Sequence, residues 1–465
     1  MQRLHLGFPR ELLVEIFRYY VALDDSPWRL TLVCKPWRRT VLTMPGLWTH
    51  IHITNEIGPR YTKWNILGST KYSYGRAAVC LDAEELRAAC HLSGTQLLHI
   101  QASLENQIDD KDPDFNDCMK EIFGLNLASR TFALHINMKC NPSKDIRFPG
   151  RLGPPTIQPL PSLEILCIES LPSEWMDVVL RTLATSSVRN LRRLELPKGL
   201  EGDRFLNKVA RELGKLERLS GFHKWPNDST PRTEMSSLRE LDVTCPFIFL
   251  SRLRLPRLHT LDMWDTTPFQ ANSKDVDEPY HLYLPYLNKL NVVTQRPFWL
   301  ERFMAPRVRI LSIAGVIVPW ITHGNVRLFT PDVFPSVKHF GFEVDADQII
   351  VDGEQQDELI LSALHAVPNA ISLRIGTKPL PNDTSRLRLD LLKRLGETSE
   401  DTILCPRLRN IKLVSLGQFW MGLSDEELDL LRGIVEGRKQ TDKPLRELIV
   451  EWTHINGDVI SESFI

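Results

Sequence analysis

At 465 residues the chain can hold two or three ordinary domains, or one small domain followed by a repeat array whose length no single spherical core limits. Its 42% apolar and 25% charged residues exclude extensive disorder, and a formal charge of −1 excludes a global field that would hold it on nucleic acid or an acidic membrane. Eight cysteines fall singly, with no C-x-x-C pair and no tight Cys/His cluster, which predicts reduced thiols in a cytoplasmic or nuclear protein and no zinc site.

The amino terminus has no unbroken apolar core of the kind a signal peptide needs, because Pro9 and then charged residues interrupt it. Further along, the longest apolar run, residues 310–321, holds Pro319 and falls short of the roughly 20 residues that cross a bilayer. A soluble protein without membrane partners is expected.

Pro9 followed by Glu11 suits the first turn of a helix, since proline needs no amide donor there and a carboxylate opposes the positive end of the dipole. Leu12, Leu13, Ile16, Phe17 and Tyr20 then form one apolar stripe. Ser26-Pro27 opens a second short helix carrying Trp28, Leu30, Val33 and Cys34, and Pro36 ends it. A third, from Pro36 to about Thr43, carries Trp37, Val41 and Leu42, and Pro45-Gly46 stops it. Three helices in so short a stretch cannot bury this many large side chains by themselves, so part of the apolar surface must dock on something else. A helical cap on the rest of the chain and a helix-turn-helix DNA reader are the other readings, and neither accounts for the whole string.

The string resembles the F-box family. FPRELLVEIF (Phe8 to Phe17) stands where the family has LPxELLxxIF, and PWRLTLVCKPWRRTVLTMPGLW (Pro27 to Trp48) is similar to its P-x-x-L-x-x-V-C-x-x-W-R segment with the closing P-x-L-W, in the form common among fungal members. Phe8 in place of the usual leucine keeps an apolar contact. The resemblance implies an F-box over residues 1–55 that docks on the Skp adaptor of a cullin-RING ubiquitin ligase. Carried over position by position, the adaptor-binding residues would be Phe8, Pro9, Leu12, Leu13, Ile16, Phe17, Leu30, Val33, Cys34, Trp37, Leu47 and Trp48, some of which must instead form the internal packing.

Residues 56–465 read as an α/β solenoid resembling leucine-rich repeats, with degenerate first repeats over 80–160. From Leu163 onward one phrase returns, L-x-x-L-x-L, very often with proline two places ahead: PSLEILCI, PRLHTLDM, PYLNKLNV, PRVRILSI, PSVKHFGF, PNAISLRI and PRLRNIKL. Its middle apolar positions are Leu166, Leu194, Leu219, Leu241, Leu261, Leu290, Leu311, Phe340, Leu373, Ile411 and Leu448, at intervals of 20 to 38 residues. Such a phrase predicts about a dozen short parallel strands, stacked in sequence order along a curved array with the strands on its concave face. Return helices are predicted over 203–213, 357–365, 386–395 and 425–436, the last opened by the capping box Ser424-x-x-Glu427. An ordinary α/β sheet protein would show longer Val/Ile runs and no fixed phrase.

No G-x-S-x-G, H-E-x-x-H, Walker or dinucleotide-binding motif occurs, so neither intrinsic catalysis nor a metal or cofactor is expected. The function is expected in surfaces. In each phrase the last two apolar positions turn to the core, so their neighbours face the concave side. That rule selects Arg193, Glu195, Arg218, Glu240, Asp242, Asp262, Trp264, Lys289, Asn291, His339 and Glu343, with Arg374 and Lys412. A large exposed aromatic such as Trp264 suits a binding anchor. The expectation is a non-catalytic substrate receptor of a Skp-cullin-F-box ubiquitin ligase. The alternative is a scaffold that binds the adaptor and delivers nothing.

Overall fold

The computed structural model describes residues 9–22, 26–54, 77–80, 83–105, 121–123, 125–139, 160–171, 176, 179, 189–201, 214–224, 233–250, 253–265, 282–294, 300, 303–316, 334–344, 360–377, 389–396, 404–415, 423–439, 444–453 and 459–464. The chain falls into two compact units, Met1–Phe222 and His223–Ile465. That boundary lies inside the repeats, whereas the expected division after residue 55 marks a change of sequence character.

In the first unit, helices α1 (Arg10–Ala22), α2 (Pro27–Thr31) and α3 (Lys35–Leu42) and a 3-10 turn (Pro45–Trp48) precede strands β1 (His50–Thr54) and β2 (Ala77–Cys80). Helix α4 (Ala83–Leu92), β3 (Leu98–Glu105), the short α5 (Leu125–Ala128), β4 (Thr131–Lys139), β5 (Ile165–Ser170), β6 (Arg193–Glu201) and β7 (Arg218–Lys224) come next. The sheet order is β2–β1–β3–β4–β5–β6–β7, with parallel pairing from β2 through β6.

The second unit continues with β8 (Thr233–Glu234), β9 (Glu240–Cys245), α6 (Phe247–Leu250), β10 (Leu253–Arg254), β11 (Thr260–Asp265), β12 (Leu282–Tyr283), β13 (Lys289–Val293), β14 (Phe303–Met304), β15 (Ile310–Val316) and β16 (His339–Val344). After it come β17 (Ser372–Thr377), α7 (Leu389–Gly396), β18 (Asn410–Ser415), α8 (Asp425–Lys439), β19 (Glu447–Thr453) and β20 (Val459–Ser463). Its main sheet runs β9–β11–β13–β15–β16–β17–β18–β19–β20, parallel throughout except for the antiparallel last strand. Two parallel ribbons, β8 with β10 and β12 with β14, lie outside it.

The recurring phrase explains this order. Its proline takes the second position of a four-residue turn whose fixed φ suits it, and the turn closes with a backbone bond from the first leucine of the phrase to the residue before proline. Leu163 donates to Leu160, Leu258 to Leu255, Leu287 to Leu284 and Leu408 to Cys405 in this way. The strand then starts two residues later, so its apolar positions fall in register with those before it. Leu241, Leu261, Leu290, Leu311, Phe340, Leu373, Ile411 and Leu448 face one another in a single buried row. Val243, Met263, Val292, Ile313, Phe342, Ile375, Leu413 and Val450 form a second. The predicted neighbours Leu261 and Leu290 are paired directly.

Several expectations need correcting. Strands β1 and β2 lie within the sheet although no phrase marks them, and β2 sits outside β1 and so departs from sequence order. Helix α2 ends at Thr31, leaving Val33 and Cys34 in the connection. Pro36, which has no amide to continue a helix, stands in the first turn of α3 instead. Helical residues 360–365, α7 and α8 occupy the predicted return positions, while 203–213 lies outside the described residues. The Ser424 capping box forms as read: the Ser424 amide and hydroxyl both donate to Glu427 Oε2, at 2.8 and 2.9 Å.

In β7, Gly221 has φ +97°, and a Cβ there would lie 1.6 Å from the carbonyl oxygen of Leu196 in β6. Gly221→Ala should therefore destabilise the first unit by about 3 kcal/mol or more in denaturant titration, since both the backbone conformation and the strand contact require glycine. A loss below about 1 kcal/mol would show that this contact is not native.

Candidate functional site

Two surfaces stand out, the amino-terminal helices and the sheet face opposite the buried rows. In the helices, the apolar stripe of α1 divides. Leu13, Phe17 and Val21 point inward with Leu30, Val41, Leu47 and Trp48, all buried. Phe17 meets Trp37 edge-on at 4.8 Å, Trp28 meets Trp48 at 4.5 Å, and the Trp48 indole N–H donates to the Val41 carbonyl at 3.1 Å. Arg38 Nε ties α3 to α2 through the Thr31 carbonyl, at 2.9 Å.

Leu12, Ile16 and Tyr19 remain 51%, 43% and 69% exposed, and Leu32 and Val33 in the α2–α3 connection and Leu42 on α3 are exposed too. A groove of about 920 Å³ opens between α1 and the 3-10 turn, lined by Ile16, Tyr19, Pro45 and Gln96 among others.

The structure thus sorts the residues carried over from the resemblance. Leu13, Phe17, Leu30, Leu47 and Trp48 are core residues, a correction to their assignment as docking residues, because each packs into the centre of the helix cluster. Pro9, Leu12, Ile16 and Val33 are accessible, Cys34 and Trp37 are half-buried, and Phe8 lies outside the described residues. Tyr19, Leu32 and Leu42 are accessible too, although neither the helical stripe nor the resemblance singles them out.

On the sheet face of the second unit, Glu240, Asp242, Asp262, Trp264, Lys289, Asn291, His339 and Glu343 all occupy the positions that alternate with buried ones. Register sets Asp242, Asp262 and Asn291 side by side, and Trp264 between Thr244 and Val293. Asn291 donates to Asp262, and Lys289 approaches the same carboxylate at 3.9 Å. Glu343 pairs with Arg374, and Lys412 with Glu451 at 2.8 Å. Trp264 is 55% exposed. The neighbouring segment 266–279 lies outside the described residues.

In the first unit the same face is less open than expected. Glu195 Oε1 holds both Arg193, at 2.7 Å, and Arg218, at 2.9 Å, so Arg193 and Glu195 are largely buried in a lateral ion cluster rather than presented to a ligand. Beside it runs a row of histidines. His50 and His99 rings lie 5.2 Å apart and His99 and His135 rings 4.9 Å apart, with His52 two residues further along β1. The Nε2 atoms of His52 and His99 are buried without a hydrogen-bond partner. Among the described residues, no three His, Cys, Asp or Glu side chains converge to hold a metal.

Burial holds the His52 imidazole down to about 4. His99 lies at about 3 and His135 at about 4, where burial is the main cause and neighbouring groups add to it, the His135 and His50 rings acting on His99, and the Arg193 guanidinium on His135 against an opposing pull from Glu195. Burial pushes the Cys90 and Cys405 thiols up to about 12 and raises Cys167 and Cys245 as well, so these are core thiols rather than nucleophiles.

The histidine row gives a pH dependence. An unfolded histidine takes up its proton near pH 6.5, whereas the folded ones resist until about pH 4. Stability is complete above about 6.5 and is lost as pH falls toward 4, by on the order of 2 kcal/mol for each ring. The melting temperature should drop over this window, and His99→Gln should flatten the slope. A melting temperature constant between pH 7 and 4.5 would contradict the burial of these rings.

No family model matches the chain, and no curated protein matches it. Among solved structures, a protein from Bacteroides fragilis is similar at 11% identity over 74% of this chain and 73% of its own, with a TM-score of 0.30. A likeness at that level assigns neither family nor function. Among the described residues no helix is long and apolar enough to cross a membrane. The chain is an α/β protein built on mostly parallel sheet.

Proposed function

We propose that the chain is the substrate receptor of a Skp-cullin-F-box type ubiquitin ligase, its amino-terminal helices docking on the Skp adaptor and the sheet face of its repeats holding a protein substrate. The observation that carries this reading is the split helix stripe: Leu12, Ile16 and Tyr19 stay exposed on a helix whose other face, Leu13, Phe17 and Val21, is already packed. An apolar stripe that the fold leaves in water suits a partner surface. The F-box-like string covers Leu12, Leu13, Ile16 and Phe17 of these residues.

In this reading no side chain performs chemistry. Holding adaptor and substrate on one chain raises the local concentration of substrate lysines beside the ligase's loaded partner, an effective-molarity gain. Trp264, flanked by the paired Asp262, Lys289 and Asn291, supplies the aromatic anchor of the substrate face.

Leu12→Asp with Ile16→Asp should abolish adaptor co-precipitation while leaving the fold intact, because each carboxylate is harmless in water but costs several kcal/mol when buried unpaired at an interface. Leu13→Asp should instead unfold the helix cluster. Retention of adaptor by the folded double variant would refute the docking face. Recovery of a cullin with the adaptor separates a ligase receptor from a scaffold.

For the substrate face, Trp264→Ala should weaken substrate capture about thirtyfold, equivalent to about 2 kcal/mol, without touching adaptor binding. A loss fully explained by a lowered melting temperature would remove Trp264 from the recognition surface.

A further inference from the structure

The strands of the second unit begin along one edge, and the residue just before each strand is locked to its neighbours by backbone bonds. His259 donates to the Arg239 carbonyl at 2.8 Å, Asn288 to His259 at 2.9 Å, Arg309 to Asn288 at 2.9 Å and Lys338 to Arg309 at 2.8 Å. The ladder continues from Ile371 to Lys338 at 2.7 Å, Arg409 to Ile371 at 2.8 Å and Arg446 to Arg409 at 2.7 Å. Two positions earlier, in the proline turns, stand Arg257, Tyr286, Arg307 and Arg407, all exposed.

Neither row holds an acidic residue; Glu240 and Glu447 stand at its two ends as the first residues of their strands. Among the described residues, the ion pairs of the second unit join Lys289, Arg374, Lys412, Arg432 and Lys439 to acids, and none involves these edge cations. The first unit differs at the same edge. There Arg192 stands between Glu164, at 3.4 Å, and Glu217, at 3.7 Å, and the edge neutralises itself.

We infer that the leading edge of the second unit's sheet is a docking ridge for an acidic, extended segment of a partner protein. Strands about 4.8 Å apart give seven steps from Arg239 to Arg446 and a ridge of about 34 Å, the reach of about ten residues of extended chain. Backbone locking fixes the positions that bear the cations, so binding has only their side chains left to order. Beside the row, Tyr283 and Met304 sit in register in the β12–β14 ribbon, both exposed, and form an apolar shoulder. The complementary ligand is therefore a run of carboxylates or phosphorylated side chains carrying an apolar residue.

A single-stranded nucleic acid fits less well. It needs free aromatic faces for its bases. Tyr286, the one tyrosine in the two rows, is approached by His259 from the β11 side, at 6.3 Å between rings, and by the Arg307 guanidinium from the β15 side, at 5.2 Å.

The ridge belongs to the second unit and the amino-terminal helices to the first, and its test needs no adaptor. The purified full chain is titrated with a fluorescein-labelled decapeptide of glutamates around one central leucine, and separately with a labelled ten-nucleotide oligothymidine. The peptide should bind saturably and more weakly as salt is raised. Combining Arg309→Glu, Lys338→Glu and Arg409→Glu should weaken it about tenfold or more, while Arg432→Glu, on the exposed face of α8, should change nothing. The glutamine triple at the same positions gives a smaller loss in the same direction and serves should the glutamate triple not fold. Absence of saturable peptide binding, equal affinity in a folded triple, or tighter binding of the oligothymidine that the triple abolishes would each overturn the inference.

Discussion

The fold rests on register. Because side chains alternate across a strand, a slip of one residue would turn every buried leucine to water and every surface charge into the core. The proline turn prevents this slip by starting each strand a fixed distance after a buried anchor such as Leu255, Leu284 or Phe334. Leu261, buried between Leu241 and Leu290, then has no freedom to choose another partner. Replacing a leucine of this row by alanine would leave a cavity worth about 2–5 kcal/mol, so the row constrains composition as firmly as it constrains pairing.

Where the row ends, other devices take over. Strand β20 closes the second unit antiparallel to β19, and its outward residues are exposed. Helix α7 leaves terminal carbonyls without intrahelical donors. The fully buried guanidinium of Arg438, on α8, donates to the carbonyls of Leu395, Leu404 and Cys405, satisfying both a helix end and the adjoining turn. A cation suits that position, since it opposes the negative end of the α7 dipole.

The repeating phrase was legible because proline, leucine and spacing carry the same instruction three times over. The capping box at Ser424 was legible for a similar reason, two reciprocal bonds within four residues. The division of the α1 stripe was not. Leu12 and Leu13 lie about 100° apart on a helix, and periodicity reports that both belong to an apolar arc without saying which half meets the core. Only the position of α2 and α3 decides, and Phe17 against Trp37 is where it is decided. The histidine row escaped for a different reason. Alternation assigns His99 and His135 to the outward face, correctly, but their burial comes from neighbours in adjacent strands, and a single strand's pattern does not contain it. Strands β1, β2 and β20 lack the phrase altogether, so they were recognisable only once a partner strand was in place.

A net charge of −1 conceals how unevenly charge is arranged. On the sheet faces, cations and anions sit at neighbouring register positions and are used up laterally, as Arg193 with Arg218 on Glu195, Lys289 at Asp262 and Lys412 on Glu451. Such pairs contribute little to stability when partly exposed, yet they remove the unpaired charge that would repel an apolar ligand from the strip around Trp264. At the leading edge of the second unit this compensation is missing: Arg309 stands beside Lys338 and Arg409 beside Arg446 at one strand spacing, about 4.8 Å, with Arg239 at the far end. Backbone bonds hold those positions in place, so this edge keeps cations without the lateral acidic partners seen on the described sheet faces. The same repeat therefore yields two surfaces of different character, one on the strands themselves, with paired charges and an exposed aromatic ring, the other at the positions just before the strands, where five of eight residues are Arg or Lys.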